Sequence, residues 1–527
     1  MRKQFNHVSA VICLEAAICA VLLATAPRAK SSFKQEPQAP PAASAPFHEE
    51  VIAEITPGNQ YKSGFVGYKH LAWVENQGGK RIVRLDGKQQ GGVYDDVKYL
   101  GFNQDESHFV FFAKHRSSWV FVQDGQEHPP EYSKPSSVEF QPKGSSYAFC
   151  ACHEKKCRLV IDGTEAGDEY TDISRPEYSR DGKRLAFVGK RGKKWIAIVD
   201  GKETGPELDD FWYSGWGFSR DVTHFFVAGR IKANWLYAID GQQGPGFDVL
   251  SRIAFSRDGT HYAFGGIVAK GGFKKQKTFG TIMLDGKLIA TYEGKGMAGG
   301  LVQALGNFSE SLTVGVRDLS PDFHGISTPQ FNPEGKLVYA ARRDKGDVAV
   351  FVGPDAGPGF DEVLSPVAFS EDAQHFAYVA RDGDNFVEVR DNVPGRSFTS
   401  TRHKASDVQW IAMNHDATHL AYETVSGGNQ YMAGTTSRAL RSVVIDGQSG
   451  PEYDALGVSK FGFSKDAAHY FYEVHGAKGD QGLVNVDGYE SKLYDFVINA
   501  RFVEDGKGVS FVALDGGRFV RVSFVLK

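Results

Sequence analysis

Asp240–Leu250 reads DGQQGPGFDVL and Asp446–Leu456 reads DGQSGPEYDAL. The two share Asp-Gly, then Gly-Pro, an aromatic residue and Asp in one order, which marks a repeat. Asp-Gly behind a short β-rich run occurs at Asp86, Asp124, Asp162 and Asp200, each 38 residues apart, then at Asp240, Asp285, Asp446 and Asp487, with Asp391-Asn392 as a variant. A further marker opens the next unit: an aromatic, a polar pair, then Asp or Glu and Gly, as in YSRDGKRLAFV from Tyr178, FSRDGTHYAF from Phe255 and FNPEGKLVYA from Phe331. A fixed period near 40 residues is the signature of a repeat architecture.

Each unit reads as four strands. From Val97, VKYLGF is strand A, HFVFFA strand B and SWVFVQ strand C, and strand D follows Asp124-Gly125 and ends at Tyr132. Asp-Gly suits a two-residue hairpin because both positions take φ > 0. Four short antiparallel strands in about 40 residues make one blade of a β-propeller. The aromatic that ends strand A counts twelve blades: Phe65, Phe102, Phe140, Tyr178, Phe218, Phe255, a degenerate unit near Phe308, then Phe331, Phe369, Trp410, Phe463 and Phe502. Ordinary rings hold roughly four to eight blades. The expected fold is therefore all-β, two tandem propellers of about six blades each, the first over 49–293 and the second over 294–527, with a five and seven split as the alternative. The last blade ends after its third strand, so HEEVIAEIT (His48–Thr56) is expected to complete it.

The length and composition agree with this. A chain of 527 residues exceeds the roughly 250 to 300 at which one hydrophobic core stops growing, and 60 glycines suit many short strands and turns. A net charge of −4 gives no global pull toward nucleic acid.

At the N-terminus, Arg2 and Lys3 precede the apolar stretch AVICLEAAICAVLLATA (Ala10–Ala26). That is the layout of an export signal. Ala24-Thr25-Ala26 offers a cleavage site, but Pro27 follows directly, and about 25 Å of helix is the short end of what spans a bilayer. Both a cleaved signal and a retained anchor stay open for residues 1–29, with residues 10–26 as the tether in the second case. Residues 30–48, rich in Pro, Ala and Ser, read as a disordered linker. The protein is expected to be periplasmic or extracellular, or held at the inner membrane.

The repeated F-S-x-D-G-x-x-x-A-[FY] motif resembles the WD-like propeller repeats of the Tol-system translocation protein and its relatives in bacterial envelopes. The resemblance covers almost everything after residue 50 and implies a propeller exposed in the envelope. That family also carries an α/β domain ahead of its propeller, where this chain has only the linker.

Histidine recurs three residues after the turn Asp, at His108, His224, His261, His375, His419 and His469. Placed on six different blades, these cannot converge on one ion, so they are expected to bond within the A to B turns. There is no G-x-S-x-G elbow, no phosphate-binding G-x-x-x-x-G-K-[ST] loop and no H-E-x-x-H zinc helix.

The B to C loops are basic: KHRSS from Lys114, HEKK from His153, KRGKK from Lys190, RIKAN from Arg230, VAKGGFKKQKTFG from Val268 and RRDKG from Arg342. Lys190, Arg191, Lys193, Lys194, Lys274, Lys275 and Lys277 are the candidate ligand-binding residues of such a rim. The competing reading is a solvated rim, with the D to A aspartates Asp95, Asp209, Asp248, Asp361, Asp454 and Asp495 pairing those charges.

In FCACHEKKC (Phe149–Cys157), YAFCAC ends strand B and CRLVID begins strand C. Cys152 and Cys157 then oppose each other across a hairpin, within disulfide range, and Cys150 is left as a buried thiol. Free thiols and a metal site are the other readings, and no metal is expected. The sequence reads as a non-enzymatic, exported protein-interaction or ligand-binding module of the cell envelope. It needs no cofactor, and its partner would be a protein or an anionic envelope component. The rival is a propeller enzyme, of lyase or glycosidase type, acting on a polysaccharide through carboxylates at the channel mouth.

Overall fold

The computed structural model describes residues 47–67, 69–270, 277–294, 325–370, 372, 374–399, 405–426, 439–478, 481–503 and 506–526, and all their regular structure is β. The strands form eleven sheets, each built on four antiparallel strands in meander order, in some of which the first strand is broken into two short pieces. In chain order the blades are 60–94 (blade 1), 96–132 (2), 134–170 (3), 172–208 (4), 210–243 (5), 249–293 (6), 330–360 (7), 362–399 (8), 405–455 (9), 457–490 (10) and 496–525 (11).

The Asp-Gly turns hold the strand C to strand D hairpins together. The aspartates from Asp86 to Asp487 all sit at φ between 48° and 52°, and the glycine or Asn392 after each is also left-handed. That is the primed turn whose twist matches the flanking strands. The apolar face of each sheet is covered by its neighbour in sequence. Cys150, Cys152, Cys157, Leu159 and Tyr170 of blade 3 pack against Phe187, Ile196 and Ile198 of blade 4 in one buried cluster. Tyr170 lies so close that a Cβ on Gly189 would stand 2.4 Å from its ring, so this position needs glycine. Equivalent clusters join blades 1 and 2, 2 and 3, 4 and 5, and so on to 8 and 9.

The expected division at 293/294 into two six-bladed propellers does not hold. Among the described residues the strands make eleven blades in chain order. Ile267 and Ile282 of blade 6 share a cluster with Ile326, Leu337, Tyr339 and Ala341. The hydroxyls of Tyr292 and Tyr339 meet at 3.2 Å. Blades 6 and 7 therefore touch directly, with no blade between them. The degenerate unit near Phe308 lies outside the described residues. The six and six count rested on the usual size of rings, and a blade motif carries no record of how many copies stand beside it.

The chain divides into two compact units. Gly64–Gly427 with Ser442–Ser449 contains blades 2 to 8 whole and runs through residue 294. Met1–Ser63, Gly428–Arg441 and Gly450–Lys527 form the other, with blades 10 and 11. In this second unit the strand Phe47–Glu54 pairs antiparallel with Arg518–Val525 and supplies the fourth strand of blade 11. The strand begins at Phe47, one residue ahead of the sequence-based boundary, so the expected linker ends before residue 48. Lys492 Nζ and Tyr494 Oη both bond Glu49, at 3.0 and 2.8 Å, across more than 440 residues of chain. The export segment and the rest of the linker lie outside the described residues. Among the described residues no helix is long and apolar enough to cross a membrane.

Candidate binding site on the A to B turns

Two sets of connections frame each blade of the larger unit, and their charges are handled differently. On the B to C side, the D to A aspartates cap the next hairpin. Asp95 accepts the Arg116 amide at 2.6 Å, Asp209 that of Lys232 at 2.7 Å, Asp248 that of Ala269 at 2.7 Å and Asp361 that of Gly383 at 2.8 Å. The same carboxylates take lysines: Lys80 pairs with Asp95, and Lys194 with Asp209 at 2.8 Å. The bond from Lys194, together with the Lys232 amide, holds the Asp209 carboxyl below its usual range.

Of the candidate basic residues, Lys190 lies over the Trp195 ring at 5.1 Å, Arg191 pairs with Glu203 and Asp168, and Lys277 pairs with Glu293 at 2.8 Å. Lys193 is exposed with no ion pair among the described residues. Lys274 and Lys275 lie outside the described residues. Most of the described cations named for this rim are thus already engaged. Exposed pairs of this kind contribute at most about 1 kcal/mol each, but they reduce the free positive charge offered to a partner.

On the opposite side, the A to B turns carry a repeated hydrogen-bond frame. Ser219 Oγ donates to Asp221 at 2.6 Å and accepts the His224 amide at 3.0 Å. Ser179 with Asp181, Ser256 with Asp258 and Ser370 with Asp372 repeat the first bond. The histidines then reach the Asp-Gly turn of their own blade: His108 to Asp124 at 2.8 Å, His224 to Asp240 at 2.6 Å, His261 to Asp285 at 2.7 Å, His375 to Asp391 at 2.7 Å and His419 to Asp446 at 2.6 Å. His469 bonds Asp487 likewise in blade 10. Each is spent on a separate blade. Gln141 Nε2 donates to the Gly182 carbonyl at 2.8 Å and His224 Nε2 meets that of Gly259 at 3.1 Å, which sets neighbouring turns side by side.

This frame positions three arginines. Arg180, Arg220 and Arg257 occupy the x of F-S-x-D on blades 4, 5 and 6. All three are exposed, and none has an ion pair or hydrogen bond among the described residues. The sequence reading did not single them out. The signal that could have singled them out is arginine at one repeat position in three successive units.

Inside this arc a cavity of about 390 Å³ is lined by Glu139, Pro142, Arg175, Glu177, Tyr178, Arg180, Phe218, Ser219 and Arg220. Glu139 and Glu177 hold the same position on neighbouring first strands, just before the closing aromatic, where blades 2, 5 and 6 have Gly101, Gly217 and Ala254. Arg175 approaches Glu177 at 3.6 Å. Burial pushes the Glu139 carboxyl up to about 7, Arg175 acting against the shift and Glu177 adding to it. Burial raises Glu177 as well, against Arg175 and the Phe218 amide. Glu139 accepts no hydrogen bond among the described residues. An underpaired, partly buried carboxylate in a cavity is a candidate for ligand contact.

Cys152 and Cys157 are bonded in register on strands Tyr147–His153 and Lys156–Ile161, with Cα atoms 3.9 Å apart, and Cys150 is a buried free thiol whose ionisation burial opposes. The pair clips one B to C hairpin and stands away from the cavity lining.

No family model matches the sequence, and no curated protein matches it. The structure is similar to the solved Dos1 propeller, with 12% identity and a TM-score of 0.29 over 74% of this chain and 92% of the other. It is similar to the β-propeller domain of Cps50 (Swd1) from Myceliophteria thermophila, with 11% identity and a TM-score of 0.21 over 62% and 92%. The eleven blades themselves, rather than these distant likenesses, make this chain a β-propeller repeat protein.

Proposed function

We propose that this β-propeller is a non-enzymatic binding module that presents the A to B turns of blades 4 to 6 to an anionic partner in the cell envelope. One observation carries the reading: Arg180, Arg220 and Arg257 share one repeat position and have no ion pair or hydrogen bond among the described residues, while most of the described basic residues named for the opposite rim are engaged by carboxylates or aromatic rings. The envelope setting rests on the export-like Ala10–Ala26 stretch and on the resemblance of the repeat motif. Retention on an immobilised poly-glutamate matrix tests the reading. The triple change Arg180→Glu, Arg220→Glu and Arg257→Glu is expected to abolish retention. Reversal of Lys190, Arg191, Lys193 and Lys194 is expected to weaken it less than twofold, and the opposite ranking would overturn the assignment of the face.

A second reading is favoured by one specific observation. Glu139, raised to about 7 beside Glu177, has the character of a general acid next to a second carboxylate. A propeller enzyme cutting a polysaccharide would release reducing or unsaturated ends from it and lose turnover in Glu139→Gln. A purified chain that leaves a panel of polysaccharides intact contradicts this reading.

A further inference from the structure

The cavity inside the arginine arc is organised by depth. Its first-strand carboxylates, Glu139 and Glu177, are partly buried, whereas Arg180 and Arg220 at the turns are exposed. Among the described lining residues the cation that pairs with them is Arg175, itself 42% exposed and 3.6 Å from Glu177. A wholly anionic group driven into the cavity would meet two carboxylates, and a wholly cationic ligand would have to pass a basic mouth. A neutral apolar ligand would strip water from five charged side chains without replacing it. The complement of an acidic interior behind a basic mouth is a ligand with a cationic tip between anionic flanks.

We propose that the cavity takes the side chain of a single lysine or arginine carried within an acidic peptide segment, so that the basic tip reaches Glu139 and Glu177 while the flanking carboxylates engage Arg180, Arg220 and Arg257. This rests on the reading of the A to B turns as the binding face and names the partner that face selects. Tyr178 and Phe218 line the same cavity; the Phe218 ring already carries the Arg184 guanidinium at 5.0 Å, which leaves Tyr178 as the aromatic neighbour for the methylene stem. A volume of about 390 Å³ holds one such side chain with room for water. The glutamate that approaches the neighbouring strand needs a glycine beneath it, and Gly217 provides one.

Binding of a cation favours ionised Glu139 over its neutral form. The charged and titratable groups around it are Arg175 and Glu177, which act on it directly, and Tyr178, Arg180 and Arg220, which line the same cavity. The pH dependence of the preference is carried by Glu139, whose carboxyl is pushed up to about 7 by burial, and burial raises Glu177 beside it. Occupancy by a cation therefore releases a proton below about pH 7.

The test uses the full chain and two capped nonapeptides of aspartate and glycine, one with a central lysine and one with norleucine in its place, followed by fluorescence anisotropy. The lysine peptide is expected to bind about tenfold more tightly at pH 8, with much of that preference lost at pH 6. Glu139→Gln with Glu177→Gln is expected to remove the preference and leave norleucine-peptide binding in place, which also reports that the variant is folded. Equal affinity of the two peptides for the unmodified chain, both lost in the triple arginine reversal, overturns the cavity proposal and leaves the binding face standing. Absence of binding by either peptide overturns both.

Discussion

The carboxylate of Glu177 occupies the space beside Gly217 of the next blade: a Cβ on that glycine would stand 2.6 Å from Oε1. Gly217 also has φ of 148°, a conformation that side chains disfavour. Gly217→Ala is therefore expected to destabilise the protein by about 1 to 3 kcal/mol, through strain and overpacking together. Adding Glu177→Ala should recover the steric share and leave the backbone share. Urea denaturation of the single and double variants measures the two, and full additivity would show that the contact is not felt.

His375 is held by Asp391, which raises its pKa above the ordinary histidine value. A raised folded-state pKa means that the ionic contribution is fully present below the unfolded value of about 6.5 and is lost as pH rises through the folded pKa. His375→Gln should accordingly lower the thermal midpoint more at pH 6 than at pH 9. A deficit that does not change with pH would show that the pair acts only as a neutral hydrogen bond.

Tyr494 ties the N-terminal strand to the last blade through its hydroxyl bond to Glu49. Tyr494→Phe removes one hydrogen bond to a charged group and is expected to cost about 1.5 to 3 kcal/mol. Deleting residues 47–54 strips the edge of the strand Arg518–Val525 and should cost more, with new amide exchange along that strand. Unchanged exchange there would count against the pairing of the two strands.

The Cys152–Cys157 bond closes a loop five residues apart in sequence, worth roughly 2 kcal/mol in the chain-entropy model. Under denaturing, non-reducing conditions the full chain should titrate three thiols, Cys13, Cys19 and Cys150, and a chain cleaved after Ala26 only one. Five and three would show the pair reduced. Replacing both cysteines with serine should lower stability by a similar amount and leave retention on poly-glutamate intact.

The blades were legible because their determinants are local. Asp-Gly at Asp124 and Asp240 fixes a hairpin whatever surrounds it, and Cys152 and Cys157 face each other once their strands are placed. His48–Thr56 could be matched to the three-stranded last blade because one strand was missing there. The number of blades was not legible, since nothing local records the contact of Tyr292 with Tyr339 that sets blade 6 against blade 7. The binding face was obscured for a different reason. Lysines clustered in KRGKK attract notice in one dimension, yet Asp209 and Glu203 neutralise their neighbours only in three. Arg180, Arg220 and Arg257 are each single letters 40 and 37 residues apart, brought onto one rim by the repeat.

The most direct measurement of the central claim is hydrogen exchange on the full chain with and without poly-glutamate. The account predicts slowed exchange in the A to B turns over 179–184, 219–224 and 256–261, and none in the hairpins around 116, 192 and 232. Protection confined to those hairpins would contradict it.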